Sequence, residues 1–392
     1  MVRDSSELID APWLHDPGTQ AVCRALTDAG FRACFVGGCV RDALLGAPVS
    51  DVDIATDALP ERVIELTTAA GLKPVPTGID HGTITVVADG VGYEVTTFRR
   101  DVETDGRRAV VAFSTDLAED ARRRDFTMNA LYADPDGRVI DPLGGLPDLH
   151  ARRVRFIEDA DRRIREDYLR ALRYFRFHAW YGDDTRGMDA DALAAIAANL
   201  AGLETLSAER IGAEITKLLT APDPSTAMGA MGQTGVLQTL LPGADAKLAL
   251  LVIDGEARLG LPPDWLLRLA ALGGQDVPDR LRLSRADTKE LAVLRAAISD
   301  GTSLLETAFA HGETAAIRQH LFSAALSEMP PDAAALNTIR HAARQRFPVA
   351  AQDLMPAFAG PALGAELSRL RAIWIASGFT LDRAALLDRS TK

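Results

Sequence analysis

The stretch FVGGCVRDALLGAPVSDVDIAT, Phe35 to Thr56, sets a Gly-Gly turn, an arginine and two alternating aspartates into otherwise apolar chain. The apolar RACFVGG reads as a strand entering the turn, VRDALLG as a helix beginning near Val40, and DVDIAT as a second short strand. Glycine lets backbone N–H groups come close to a phosphate, and a helix N-terminus adds partial positive charge. Arg41 falls in the first helical turn, where a cation is unfavourable unless an anion lies nearby. On a strand, residues i and i+2 share a face, so Asp51 and Asp53 present two carboxylates side by side, and oxygen-only ligands favour Mg²⁺. Taken singly, D-V-D is equally a solvated edge or a cap, and Gly37-Gly38 a tight turn before an exposed arginine. Together they describe a phosphate cradle and a metal pair separated by one short helix, which suits a metal–nucleoside triphosphate.

Outward from this stretch, ALTDAG and ERVIELTTAAG show helical spacing. GTITVVADG and GYEVTTFRR read as paired strands joined through a Gly-containing turn. RDVETDGRRAVVAFSTD, ending at Asp116, is charged and Gly-centred and reads as a mobile loop flanking a strand. DPLGG, Asp141 to Gly145, is a turn signal and a candidate hinge. Beyond it every apolar pattern has helical period, from DYLRALRYFRFHAW to GAELSRLRAIWIA, with Pro and Gly as punctuation. The expected organisation is an N-terminal helical lead-in over 1–30 and a mixed head over 31–150. A helical neck follows over 151–220, then an all-helical body and tail over 221–392.

At 392 residues the chain is long enough for two or three domains, and its 47% hydrophobic and 25% charged content is that of a globular protein. The first residues carry no apolar core behind a basic leader, and no later run is long enough to span a bilayer, so no membrane partner is expected. Three cysteines, Cys23, Cys34 and Cys39, without a C-x-x-C, read as buried thiols in a reducing cytoplasm. The net charge of −12 argues against a surface coated in phosphate-binding cations. Yet Arg122 to Arg176 holds thirteen arginines against ten acids, and lysine is nearly absent. Planar guanidiniums suit phosphates and base edges, so the pattern fits a polyanion gripped at one waist.

GGCVRD, LLG and DVDIAT, in that order, resemble the head of the tRNA nucleotidyltransferase and bacterial poly(A) polymerase family, within the DNA polymerase beta superfamily. RRDFTMNAL (Arg123 to Leu131) resembles its second head motif, and DPLGG its hinge. EDYLRALRYFRF (Glu166 to Phe177) resembles the neck helix that selects the nucleotide, and SAERIGAE (Ser207 to Glu214) the last neck motif. The resemblance spans roughly residues 30 to 215; the remainder matches only in being helical. It implies an α+β fold, a small polymerase-beta-like nucleotidyltransferase α/β head followed by an all-helical neck, body and tail.

By the resemblance, Gly38 and Arg41 hold a triphosphate, Asp51 and Asp53 hold two Mg²⁺, and Arg124 contacts the nucleotide. Superfamily members usually have a third carboxylate on a neighbouring strand, and Glu94 is the candidate. On the neck, Asp167, Arg170, Arg173 and Arg176 recur every three residues along one helix face. The family reads the base with the aspartate and first arginine, the later arginines supporting that pair and the phosphates. Glu209 and Arg210 read as an ion pair bracing the neck. Some relatives carry a C-terminal histidine-aspartate phosphohydrolase domain; no such dyad follows the neck, so no phosphatase activity is expected.

The implied partners are tRNA, with CTP and ATP as substrates. The implied activity is template-independent addition of CCA to tRNA 3′ ends by two-metal phosphoryl transfer with release of pyrophosphate. Poly(A) polymerase and a partial CC- or A-adding enzyme are the alternatives within the family, and a catalytically inactive RNA-binding module the alternative outside it. The charged head loop favours full CCA addition, since CC-adding enzymes lack it. Both aspartates being present argues against the inactive module. Oligomeric state is not legible in the sequence.

Overall fold

The computed structural model describes residues 3–102, 110–297 and 302–390. The chain forms two compact units, Met1–Leu240 and Leu241–Lys392.

The first unit begins with strands β1 (Arg3–Leu8), β2 (Cys34–Val36), β3 (Asp53–Thr56), β4 (Lys73–Gly78), β5 (Thr83–Ala88) and β6 (Val91–Thr97). They are followed by β7 (Arg99–Val102), β8 (Val110–Phe113), β9 (Tyr132–Ala133) and β10 (Arg138–Asp141). Eight of them make one sheet in the order β1-β10-β9-β2-β3-β6-β5-β4, and β7 and β8 pair separately. Every junction in the large sheet is antiparallel except β3 with β6, which run parallel. The β5–β6 hairpin turns at Asp89-Gly90, both with positive φ (51° and 82°), the Asp-Gly connection that matches strand twist. β2 is buried at all three positions, which explains its unbroken apolar sequence. Helices Pro17–Thr27 and Pro60–Ala69 pack over the β4–β6 end, the first burying Val22, Cys23 and Leu26.

After β10 no strand occurs among the described residues; two isolated bridges, Phe126 to Phe156 and Ala244 to Gly273, are the sole exceptions. The neck helix Leu169–Tyr181 is fastened to the head by aromatic side chains. Phe126 of the head lies 5.0 Å from Phe156 and 4.8 Å from Phe177 of the neck, and Phe156 stacks on Tyr174 at 5.4 Å, ring centre to ring centre. All four rings are buried, and burying each contributes about 1.5–3 kcal/mol. The second unit is helical, from Ala246–Leu259 through Arg383–Leu387, with buried clusters around Leu370 and Trp374 and around Ala308 and Ile339. No helix among the described residues is long and apolar enough to cross a membrane.

Two expectations about organisation change. The N-terminal lead-in is not wholly helical: Arg3–Leu8 is an edge strand, with Arg3 opposite Asp141 and Asp4 opposite Ile140. RDSSEL carries no apolar alternation because an edge strand can be held by backbone hydrogen bonds to β10 alone. The first unit also continues to Leu240 where a boundary at 220 was expected. Helix Ser225–Gln233 packs on the neck helix and buries Met228 and Met231, which keeps it with the neck.

Candidate active site

Gly37 takes φ 72° and ψ −118°, so the turn out of β2 needs glycine there. The helix that follows runs Gly38–Leu44 and begins two residues earlier than the sequence suggests. Two guanidiniums close on the turn. A methyl group added at Gly37 would sit 3.2 Å from Arg124 Nη1, and one at Gly38 would sit 3.7 Å from Arg41 Nη2.

Arg41 is not the exposed cation its sequence position suggests; it is only 6% exposed. Its Nε and Nη2 donate to the two carboxylate oxygens of Asp42 at 2.8 and 2.9 Å, and Nη1 donates to Asn129 Oδ1 at 2.9 Å. Nη2 also donates to the Tyr181 hydroxyl at 2.8 Å.

Asp53 is the first residue of β3; Asp51 lies outside the strand, exposed, and accepts from Ser50 Oγ at 2.8 Å. The two therefore do not share a strand face as the D-x-D spacing suggests. The parallel register instead sets Asp53 directly opposite Glu94 of β6. Burial, then Glu94, then Asp51 push the Asp53 carboxyl above its ordinary value, against the opposing pull of Arg124. Uncompensated acids drawn together in this way are the donor chemistry of a hard divalent cation. Among the described residues no three acid, His or Cys side chains are already gathered to hold an ion, so the fit rests on this repulsion and not on a finished cage.

The second head motif is gripped from the neck. Arg124 donates to the Tyr132 hydroxyl at 3.2 Å and to Asp120 at 3.3 Å. Burial opposes its charge, but Tyr132 and Asp120 reverse the effect and hold it protonated above the usual arginine value. Asp125 is buried, with Arg173 on one oxygen at 2.6 Å and the Asn129 amide and Phe126 N–H on the other at 3.0 and 2.9 Å. Burial alone would raise its carboxyl; Arg173 and these donors bring it below the ordinary carboxylate range. A continuous chain of bonds therefore runs Arg41–Asn129–Asp125–Arg173. Arg176 and Arg173 then share Glu214 of helix Ala208–Leu219, at 2.5 and 3.9 Å.

The neck stripe is also rearranged. Asp167 is not on the helix with Arg170, Arg173 and Arg176. It sits in an extended break (φ −153°, ψ 105°) between helices Ala160–Glu166 and Leu169–Tyr181. Its Oδ1 accepts from Leu169 N–H at 3.1 Å and its Oδ2 from Arg210 Nη2 at 2.7 Å. Arg210 thus braces Asp167. Arg170 bonds elsewhere, to Glu166 at 2.7 Å and to the carbonyls of Arg163 and Arg123 at 3.0 and 2.9 Å. Gly38, Arg41, Arg124 and Asp53 are brought together around the turn, and Arg173 and Arg176 are joined to them through acids. Asp167 and Arg170 have no shared partner among these bonds.

The sequence missed Asn129, Asp120, Tyr132, Glu214 and Tyr181, all of which hold a site arginine. Asn129 and Glu214 lie inside segments already singled out; the other three carried no signal. At the hinge, Asp141 accepts the backbone N–H groups of Gly145 and Leu146 at 2.8 and 3.0 Å. A side chain at Gly145 would meet the Thr127 carbonyl oxygen, so glycine lets the turn press on the second motif. Asp105, Gly106 and Arg107 lie outside the described residues.

Residues 33–155 match the family described as Poly A polymerase head domain, and residues 187–248 match "Probable RNA and SrmB- binding site of polymerase A". The chain is 35% identical over 393 residues to CCA tRNA nucleotidyltransferase 1, mitochondrial, of Mus musculus, covering 96% of this chain and 90% of that protein. It is 44% identical to the CCA-adding enzyme of Geobacillus thermodenitrificans over 228 residues, 58% of this chain and 54% of the other. Among solved structures it is similar to the Bacillus stearothermophilus CCA-adding enzyme in complex with CTP. The TM-score is 0.72 at 30% identity, covering 95% of this chain and 98% of that one.

Proposed function

The chain belongs to the tRNA nucleotidyltransferase and poly(A) polymerase family, and we propose that it adds C, C and A to the 3′ end of tRNA from CTP and ATP, releasing pyrophosphate. One juxtaposition supports this most: Asp53 faces Glu94 across the one parallel junction, with Arg124 acting on Asp53 and lying against the Gly37-Gly38 turn. Phosphoryl transfer needs that pairing of acids for a cation with donors for a triphosphate.

In this proposal Gly38, Arg41 and Arg124 hold the triphosphate, and Asp51 and Asp53, with Glu94 as third oxygen donor, hold Mg²⁺. Mg²⁺ held by these carboxylates would supply Lewis-acid chemistry for the attacking tRNA 3′-hydroxyl and for the charge on the departing pyrophosphate. Asp167 and Arg170 read the base. Arg173 and Arg176 stay in the nucleotide site, supporting the base-reading pair and the phosphates; each is also bonded to a buried carboxylate, Asp125 or Glu214. The second unit and neck contact tRNA. Burial pushes the thiols of Cys23 and Cys34 up to about 12, which fits unreactive, buried cysteines.

The test is incubation of the purified protein with tRNA lacking its terminus, in single and mixed nucleotides. Two additions from CTP alone and a third when ATP is added support full CCA addition. Long tails from ATP alone identify a poly(A) polymerase, stopping after two additions a CC-adding enzyme, and no product an inactive binder. If the loop must rearrange when the site switches from C to A, deleting Asp105-Gly106-Arg107 should preserve CC addition and suppress the final A. Equal loss of C and A addition in a primer-extension assay would assign the loop to the fold alone.

A further inference from the structure

The neck helix ends on Tyr181, twelve residues and roughly 18 Å from its start at Leu169. Its last turn meets the head at Phe126, through Phe177, and at Asp42 and the guanidinium of Arg41. That group lies 4.1 Å from the centre of the Tyr181 ring and 5.1 Å from that of Phe177. The Tyr181 hydroxyl accepts from Arg41 Nη2 at 2.8 Å. Asp42 takes Nε and the other Nη2 donor, and Asn129 takes one Nη1 donor. Four of the five guanidinium N–H groups are therefore committed to the protein, which fixes the plane of the group and leaves one Nη1 donor.

The seven-residue Gly38–Leu44 helix supplies one of these partners, Asp42; the other two, Asn129 and Tyr181, come from the second head motif and from the neck. Phe177 in turn has Arg173 and Arg176 over its ring at 5.3 and 4.7 Å. Arg170 near the start of the neck helix, with Asp167 in the break just before it, is thus assigned to the base, and the other end of the helix holds the arginine assigned to the phosphates.

We propose that Tyr181 is a positioning residue for the triphosphate: its ring and hydroxyl clamp Arg41 against the Gly37-Gly38 turn, so the neck sets the grip on the phosphates as well as the choice of base. The inference rests on the reading that Arg41 meets the triphosphate. A clamp on the phosphates is blind to the base, so CTP and ATP must suffer together and base rejection must not change.

The test compares Tyr181→Phe, Tyr181→Leu and Arg41→Ala in the full chain. It reads kcat and KM for CTP and ATP and the inhibition constant of inorganic pyrophosphate. Tyr181→Phe keeps the ring, so the fold should survive, with melting temperature as control. Loss of the hydroxyl, which accepts from Arg41 and is bonded to Asp42, should raise KM for both nucleotides and the pyrophosphate constant by about tenfold, with kcat unchanged. Tyr181→Leu, losing the ring too, should raise them further. If both Tyr181 variants match the parent while Arg41→Ala weakens pyrophosphate binding, the clamp is overturned and the role of Arg41 stands. If Arg41→Ala itself leaves pyrophosphate binding intact, both are overturned. A fall in kcat that tracks a lower melting temperature, with KM unchanged, would make Tyr181 a structural residue only.

Discussion

Replacing Asp53 by asparagine should abolish nucleotide transfer while raising the melting temperature of the metal-free protein. Asp53 opens β3 opposite Glu94, and its carboxyl is pushed up by burial, by Glu94 and by Asp51. A raised carboxyl destabilises the fold. Between its ordinary and its folded value the native state keeps a proton that the unfolded chain has released. Stability therefore falls as pH rises through that window, and the deficit is complete above it. Asparagine removes the charge and the deficit. The gain should be present at pH 7 and vanish below the ordinary carboxylate range, where Asp53 is protonated in both states. Transfer behaves oppositely, because losing a carboxylate that holds a catalytic cation costs several kcal/mol, on the order of a thousandfold in rate. Primer extension with Mg²⁺ and thermal melts across pH measure the two halves. Near-parental turnover, or a lower melting temperature at pH 7, contradicts the assignment.

The chemistry of this site was more legible than its wiring. The strand–turn–helix–strand order around Gly37 follows from apolar runs and glycines, and the structure keeps it. Glu94 was reachable only through the family resemblance, and the parallel register puts it opposite Asp53. What failed were pairings set by distant segments. Arg173 finds Asp125, 48 residues away, and Arg210 finds Asp167, 43 residues away. No local pattern encodes either. Asp167 did leave a signal that the three-residue arginine spacing masked. An aspartate two residues before an apolar helical run tends to bond the backbone N–H two positions on, and Asp167 does so with Leu169, breaking the helix. The strand Arg3–Leu8 left none, since its pairing with β10 is made by backbone and its side chains are largely polar.

That break matters for how a protein without a template selects two bases of four. On the pairing edge, cytosine and adenine each present an exocyclic amino donor beside a ring-nitrogen acceptor. Guanine and uracil present a carbonyl acceptor beside an N–H donor. An ionised aspartate only accepts and an arginine only donates, so Asp167 with Arg170 complements C and A and opposes G and U. The geometry restrains both members. Leu169 N–H and Arg210 hold the two Asp167 oxygens. Three Arg170 donors are spent on Glu166, Arg163 and Arg123, leaving two to offer. Each mispaired, desolvated polar group costs about 1–3 kcal/mol, so two conflicts give on the order of a hundredfold discrimination. Asp167→Ala should relax rejection of UTP and GTP by that factor, and Arg170→Ala should weaken CTP and ATP together. Arg210→Ala, which frees the carboxylate without removing it, should relax rejection less than Asp167→Ala does. The measurement is incorporation efficiency of all four nucleotides on tRNA ending before its CCA. Should Asp167→Ala exclude UTP as firmly as the parent, Asp167 would be left as the residue that breaks the neck helix and receives Arg210, and base choice would lie elsewhere.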